Sequence, residues 1–524
     1  MARTGRHALL VAVGILLSRL AGVVRQRVFN HYFGLSSVAD AFSQAIKIPN
    51  FLQNLFGEGV LSASFIPVYA RLLAEGAEEE AGRVAGAICA ILAFTTALLV
   101  LAGVLATPLL IDAIAPGFHG AKRQLTIQLV RILFPGVGLL VMSAWCLGIL
   151  NSHRKFLLSY AAPVIWNAAM IATLVAFGGQ PQETLAITLA WGSVAGSALQ
   201  FGVQLPVVLL LARGLRLRLE TRSSHVNTVL RNFGPVFVSR GVVQISAYVD
   251  SVLASFLPEG AVAALLNAQS LSLLPVSLFG MSISAAELPA MSSVVGKQAE
   301  IHEHLRDRLN AGLRRIAFFI VPSAMAFLAF GDVITAALYQ SGRFGPGDSV
   351  YVWGILAGSA VGLLASTMGR LYSSTYYALR DTRTPLRYAV IRVALTTALG
   401  YVSALPLPVW IGIDPRWGVA GLTASAGIAG WVEFALLRRT LNRRIGPTGL
   451  PARFTVKLWL SAGIGAGAAW AIKLAVGRRN PILLAVAVLA PYCLLYFGMA
   501  ALLRVREGTE VFRFRPFSRR RPES

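Results

Sequence analysis

Charged residues are scarce in this chain of 524 residues. Asp, Glu, Lys and Arg make up 13% of it, whereas hydrophobic residues make up 56%. The mean hydropathy is +0.66. A soluble globule carries about 25% charged residues, so this composition excludes that class and indicates a polytopic membrane protein.

Cysteines are also few, and a phosphate-loop motif is missing. The three cysteines, Cys89, Cys146 and Cys493, lie in apolar runs, which excludes a disulfide framework. His302 and His304 stand in a polar linker without further ligands, so we predict no metal site there. The sequence has no Gly/Lys phosphate loop, which excludes an ATPase of that type. No catalytic residues are predicted, and we expect a protein that is not an enzyme.

Long apolar runs dominate what is present. A helix needs about 20 residues to cross the hydrocarbon core of a bilayer. We predict an all-α polytopic membrane protein with about fourteen transmembrane helices. The predicted spans cover residues 8–30, 37–72, 84–114, 124–150, 157–178, 184–212, 226–256, 261–294, 310–340, 348–379, 386–405, 417–441, 455–476 and 481–503.

Basic residues fall mostly on one side of this topology. The net charge is +24, and the cations cluster in alternate breaks at 153–155, 213–222, 297–308, 380–387 and 438–453. The opposite breaks hold scattered cations, namely Lys122, Arg123, Arg343, Arg416, Arg478 and Arg479. The positive-inside rule therefore predicts cytoplasmic termini and a retained first helix, and the charge needs no nucleic-acid partner.

Two halves of the sequence resemble each other. Phe65-Ile-Pro67 ends the second predicted span and Glu287-Leu-Pro289 the eighth. Each half has six spans, and because six is an even number the second half begins on the same side of the membrane as the first. The two repeats are therefore parallel. We predict an N-lobe at 1–222, a C-lobe at 223–445, a C-terminal helix pair at 446–503 and a basic cytoplasmic tail at 504–524. The fold is then two pseudo-symmetric six-helix lobes plus two helices.

Charges inside the first two spans indicate a polar cavity. Each costs roughly 2.5–3.5 kcal/mol at mid-membrane unless it faces protein or water. They are Arg19, Arg25, Arg27, Asp40, Lys47 and Glu58. Arg25 and Lys47 would either snorkel to the helix ends or bind an anionic substrate. Asp40 and Glu58 would be counter-ions or proton-coupled switches.

The seventh span adds two charges, Arg240 and Asp250, ten residues apart. This spacing is too long for direct pairing along one helix. Asp250 would be either a cation or proton site or a satisfied structural carboxylate. We group Arg19, Arg25, Asp40, Glu58 and Arg240 as candidate substrate-binding residues.

Motifs of the opening stretch resemble those of the MurJ (MviN) family of lipid II flippases, in the multidrug/oligosaccharidyl-lipid/polysaccharide exporter superfamily. They are Ser18-Arg19-Leu-Ala-Gly22, Ala39-Asp40-Ala41-Phe42, Lys47-Ile-Pro49-Asn50 and Phe56-Gly-Glu58-Gly59. The resemblance implies a flippase that moves undecaprenyl-pyrophosphate-linked peptidoglycan precursor to the outer leaflet by alternating access.

The resemblance also implies an ion site in some members. Sodium would be the coupling ion, and no other cofactor is expected. Its ligands would fall on Asp250, Asp381, Val393 and Thr397, with Tyr377 where the family usually has Asn.

The chain departs from the family pattern at two places. Gln53-Asn54 stands where paired arginines are common, and residues 268–273, AQSLSL, replace an Asp-Arg pair and a nearby Glu. Fewer cations would weaken pyrophosphate binding. The alternatives are therefore a flippase for another polyprenyl-linked glycan, or a non-transporting scaffold for cell-wall synthesis proteins. We expect a monomer in the bacterial cytoplasmic membrane, in contact with membrane lipids.

Overall fold

The computed structural model describes residues 2–48, 50–51, 58–219, 223–292, 298–477 and 480–507. Within these ranges the side chains at 2–12, 58–60, 62–63, 234–247 and 289–290 are not described. Regular structure in the described residues is helical apart from one isolated bridge between Ser341 and Phe344. The predicted all-α membrane fold is confirmed.

The helices of the N-terminal half run in the order that the sequence predicts. Their bounds are α1 Ala2–Phe33, α2 Ser37–Ala45, α3 Glu58–Ala74, α4 Glu78–Ile114, α5 Gly120–Ser152, α6 Phe156–Phe177, α7 Gln182–Leu211 and α8 Ser224–Ser255.

The C-terminal half begins with a helix that changes its winding. Its first part is α9, Ala261–Pro275, followed by a π-helical turn at Val276–Met281 and by α10, Ser282–Ser292. The later helices are α11 Gln298–Tyr339, α12 Pro346–Ala378, α13 Arg383–Ala404, α14 Pro406–Trp410, α15 Gly418–Ile445, α16 Ala452–Val476 and α17 Pro481–Leu502.

Eleven helical segments of the described chain are long and apolar enough to cross a membrane. The remaining predicted spans correspond to α1, to α2 with α3, and to α8. The count of fourteen therefore stays a prediction.

Two described helices fall within the second predicted span, residues 37–72. Helix α2 ends at Ala45, where Ile46 forms the C-cap; residues 47–48 and 50–51 are again helical, and α3 is described from Glu58. Proline lacks an N–H and restricts the residue before it, so the Lys47-Ile-Pro49 sequence favours an end of α2 near this point. Pro49 and Gly57 themselves lie outside the described residues.

The chain packs into two compact units, Met1–Ala263 with Ser341–Gly345, and Ala264–Gln340 with Pro346–Ser524. The predicted lobe boundary after residue 222 falls earlier, before α8. Helix α8 belongs to the first unit because it packs against α3 and α4. Helix α5 is central to the same unit, because it packs against α2, α3, α4 and α7. Helix α1 packs against α6.

The second unit is centred on α12, which packs against α11 and α15. Helix α13 lies along α15, and the C-terminal pair α16 and α17 packs against α11. Pro322 lies inside α11 and Phe330 marks a kink there. Phe330, Tyr492 and Val488 belong to the apolar core that joins the pair to this unit.

Candidate functional site

Asp40 is fully buried on α2 and is the centre of a hydrogen-bond cluster in the first unit. Its carboxylate accepts hydrogen bonds from Lys122 Nζ at 2.7 Å and from the backbone N–H groups of Gly260 and Ala263, each at 2.8 Å. The two N–H groups stand at the start of α9, and the N-terminal end of a helix favours negative charge. Asp40 thus joins α2, α5 and α9, and its partner is Lys122 rather than Arg19 or Arg25.

Lys47 is the centre of a second polar cluster, next to α8. Its ammonium donates a short hydrogen bond to Ser251 Oγ, which in turn donates to Gln44 Oε1 at 3.0 Å. Tyr248 donates to the Lys47 carbonyl at 2.6 Å. Asp250 interacts electrostatically with the Lys47 ammonium. Lys47 therefore lies among polar groups of the first unit, and a cation already stands near Asp250.

Arg19 and Arg25 lie on different faces of α1. Six residues place them about 120° apart around the helix axis. The Arg25 guanidinium stands over the Trp166 ring of α6, 4.9 Å from its centroid, whereas Arg19 is exposed. The stacking fixes the position of the Arg25 guanidinium beside α6. The side chains of Glu58 and Arg240 lie outside the described residues, so their predicted roles stay predictions.

The second unit holds a charged cluster on three of its apolar helices. Arg392 of α13 lies 3.4 Å from the carboxylate of Glu433 on α15. Arg370 of α12 interacts electrostatically with both groups and has an exposed side chain. Two guanidinium groups therefore stand near one carboxylate, which leaves a positive balance within this cluster.

Asp381 lies in the turn between α12 and α13. One carboxylate oxygen accepts from the backbone N–H of Arg383 and Thr384, and the other from Thr384 Oγ1 and Arg444. Burial acts to raise the pKa of Asp381, but the bonds from Thr384 and Arg444 outweigh it and lower the pKa to about 2. Asp381 is thus a helix-capping, ion-paired carboxylate.

Comparison with known proteins identifies the family. The model of the lipid II flippase MurJ family matches residues 29–496. A Burkholderia cenocepacia lipid II flippase MurJ is 31% identical over 509 residues, which cover 94% of this chain and 96% of the relative. The chain belongs to the MurJ family. A probable lipid II flippase MurJ of Rhizobium tropici is 30% identical, with 82% of this chain and 79% of the relative covered.

Solved structures agree with this family fold. A structure of lipid II flippase MurJ in an inward closed conformation matches with a TM-score of 0.78 at 23% identity, over 96% of this chain and all of that chain. An inward-facing multidrug-resistance MATE transporter of the MOP superfamily matches with a TM-score of 0.67 at 16% identity, over 83% of this chain and 98% of that chain. Both matches bear on the fold alone.

The predicted sodium ligands of this MurJ-family chain do not converge in the second unit. From Thr384, which contacts Asp381, to Val393 the chain is continuous helix, so about 13 Å of helix axis separates them. Thr397 donates its hydroxyl to the Val393 carbonyl at 2.8 Å. Ca²⁺, a similar hard cation, needs oxygen ligands at about 2.3–2.6 Å, and one ion cannot reach both Asp381 and Val393. Asp381 and Val393 thus do not share one ion in this arrangement, and the sodium site stays a prediction.

Sequence reasoning missed several charged residues of this MurJ-family chain. Arg370, Arg392 and Glu433 fall inside predicted spans, so the criterion that selected Arg19 would have found them. Lys122 could not be found as the partner of Asp40, because 82 residues separate the two and no local pattern links them.

Proposed function

We propose that this protein is a lipid II flippase, which moves undecaprenyl-pyrophosphate-linked peptidoglycan precursor from the inner to the outer leaflet by alternating access. The observation that carries the proposal is the match to the MurJ family over 94% of the chain. The membrane is the bacterial cytoplasmic membrane, and both termini face the cytoplasm.

Arginines on apolar helices support an anionic cargo. Arg19 and Arg25 lie on α1, and Arg370 and Arg392 lie on helices of the second unit. Guanidinium groups bind phosphate oxygens in bidentate fashion, which suits a pyrophosphate-linked cargo. The end of α2 at Ala45 supplies a position at which the chain can bend during transport.

A second candidate cargo is another polyprenyl-linked glycan. It is favoured by the uncharged sequence of residues 268–273 on α9, where the family commonly has an Asp-Arg pair. Arg370 and Arg392 still provide cations in the second unit, so this half of the chain is not devoid of positive charge. A scaffold that recruits cell-wall synthesis proteins is the third candidate and requires no arginines on α1.

Complementation tests the proposal. A bacterium depleted of its own lipid II flippase would express the native chain, the Arg19→Ala/Arg25→Ala variant or an Arg71→Ala/Arg83→Ala control. The control removes the same charge from two exposed arginines, Arg71 in the last turn of α3 and Arg83 near the start of α4. We expect growth with the native chain and the control, and loss of growth with the α1 variant at equal abundance.

Two other outcomes would contradict lipid II transport. Failure of the native chain despite correct membrane insertion would favour another polyprenyl-linked cargo. Rescue by the α1 variant at the native level would favour a scaffold, since a scaffold does not require cations for a pyrophosphate. Flux of labelled lipid II into the outer leaflet of the same cells separates these two results.

A further inference from the structure

A groove of about 660 Å³ opens between α5 and α7 in the first unit. Helix α5 contributes three polar side chains about one turn apart, with apolar residues between and beyond them, and α7 contributes one apolar and one aromatic residue. The lining consists of Gln124, Ile127, Gln128, Arg131, Ile132, Pro135, Ile187 and Trp191. Trp191 is 57% exposed, so its ring is accessible to a ligand in the groove.

The polar end of this groove lies at the edge of an apolar span. Arg131 is followed by residues 132–150, which contain no Asp, Glu, Lys or Arg. These nineteen residues nearly match the roughly 20 that cross the hydrocarbon core. With the predicted cytoplasmic N-terminus, α5 begins outside, and Arg131 then stands at the level of the outer head groups.

Arg131 differs from the other cations at this end of α5. Lys122 is paired with Asp40 at 2.7 Å and Arg123 with Asp112 at 2.7 Å. Within the described ranges, Arg131 has no carboxylate within 4 Å and its side chain is exposed. The positive-inside rule accounts for cations on the cytoplasmic side, so it does not account for this one.

We propose that this groove binds the head group of the transported lipid-linked saccharide once it has reached the outer leaflet. This inference rests on the proposed function. The Arg131 guanidinium would bind a phosphate oxygen of the ligand, because charge-assisted bonds to phosphate are strong. The amides of Gln124 and Gln128 both donate and accept, which suits sugar hydroxyls.

Trp191 favours a saccharide over a simple anionic phospholipid. The C–H groups on one face of a sugar ring pack against the electron-rich face of an indole. A phosphatidylglycerol head group offers the phosphate but no ring for that contact. The apolar residues Pro135 and Ile187 leave space for the first isoprenyl units next to the head group.

Photo-crosslinking at two positions tests this site. The full chain would carry benzoylphenylalanine in place of Ile187 in the groove or, separately, of Val24, which is exposed on α1. Each protein would be placed in phosphatidylethanolamine nanodiscs with labelled lipid II, undecaprenyl pyrophosphate or phosphatidylglycerol at equal mole fraction. The Ile187 protein would also be made with Arg131→Gln, Trp191→Leu or the exposed control Arg71→Gln.

We expect lipid II to crosslink at position 187 more strongly than phosphatidylglycerol. Arg131→Gln should reduce that yield about tenfold, the value of one charge-assisted hydrogen bond. Trp191→Leu should reduce the yield with lipid II but not with undecaprenyl pyrophosphate, which has no sugar. Arg71→Gln should leave all yields unchanged.

Three outcomes would overturn the groove as a saccharide site. They are equal crosslinking of phosphatidylglycerol, an unchanged yield in Arg131→Gln, and no lipid II crosslink at position 187. If lipid II crosslinks at position 24 and not at 187, the groove is wrong and the proposed flippase stands. If it crosslinks at neither position, the proposed flippase fails as well.

Discussion

At the scale of single residues, Asp40 shows how a charge that the sequence marks for transport can serve the fold. Its burial is complete, and three donors satisfy its carboxylate. A buried carboxylate of this kind is stable because hydrogen bonds and a paired cation compensate its desolvation. Arg25 has a different environment, since its guanidinium stands over the aromatic face of Trp166.

We predict that Asp40→Asn destabilises the protein by about 3–5 kcal/mol, because the Lys122 ammonium is left without its partner. Thermal unfolding in detergent would measure the loss. Asp112→Asn removes a mostly exposed partner of Arg123 and should change Tm little. Asp40→Asn combined with Lys122→Met should recover part of the stability. A native Tm with lost transport in Asp40→Asn would instead assign Asp40 to the transport cycle.

At the scale of helices, Pro322 of α11 creates a place where the C-terminal helix pair is hydrogen-bonded to α11. Pro322 has no N–H, so the carbonyl of Phe318 loses its donor within the helix. Tyr496 of α17 donates its hydroxyl to that carbonyl at 2.6 Å, and Tyr492 donates to the Pro322 carbonyl at 2.7 Å. The gap in one helix is thus satisfied by side chains of another, which fixes how α17 packs against α11.

We predict that Tyr496→Phe costs about 1–3 kcal/mol, because the Phe318 carbonyl is left buried and unpaired. In a Pro322→Ala background the helix regains an N–H for that carbonyl, so Tyr496→Phe should cost clearly less. Chemical unfolding of the four proteins in this double-mutant cycle gives the coupling energy. Equal costs in both backgrounds would show that the hydroxyl acts independently of the proline.

At the scale of the whole molecule, the topology can be tested directly. In a background with Cys89, Cys146 and Cys493 replaced by Ser, single cysteines would be placed at Lys155, Gln180 or Asp414. A membrane-impermeant maleimide should label Gln180→Cys and Asp414→Cys in intact cells. It should label Lys155→Cys only after the cells have been permeabilised. The opposite pattern would place the N-terminus outside, and matching accessibility at all three sites would contradict the alternation of spans.

Much of the fold could be predicted from the sequence by itself. The length of each apolar segment decides whether it can span the hydrocarbon core, and the basic residues of the neighbouring loops decide its orientation. Both are properties of a short stretch of sequence. The membrane class, the order of the helices and the family all follow from such local patterns.

Tertiary structure decided which charges meet. The Asp40 and Lys122 pair, the Arg392 and Glu433 pair and the assignment of α8 to the first unit depend on contacts between distant segments. The sodium ligands that the family resemblance implies include Asp381 and Val393, yet a continuous α13 keeps these two residues apart. Hydrogen bonds and ion pairs act over a few ångströms, so the three-dimensional path of the helices, and not spacing along the chain, determines them.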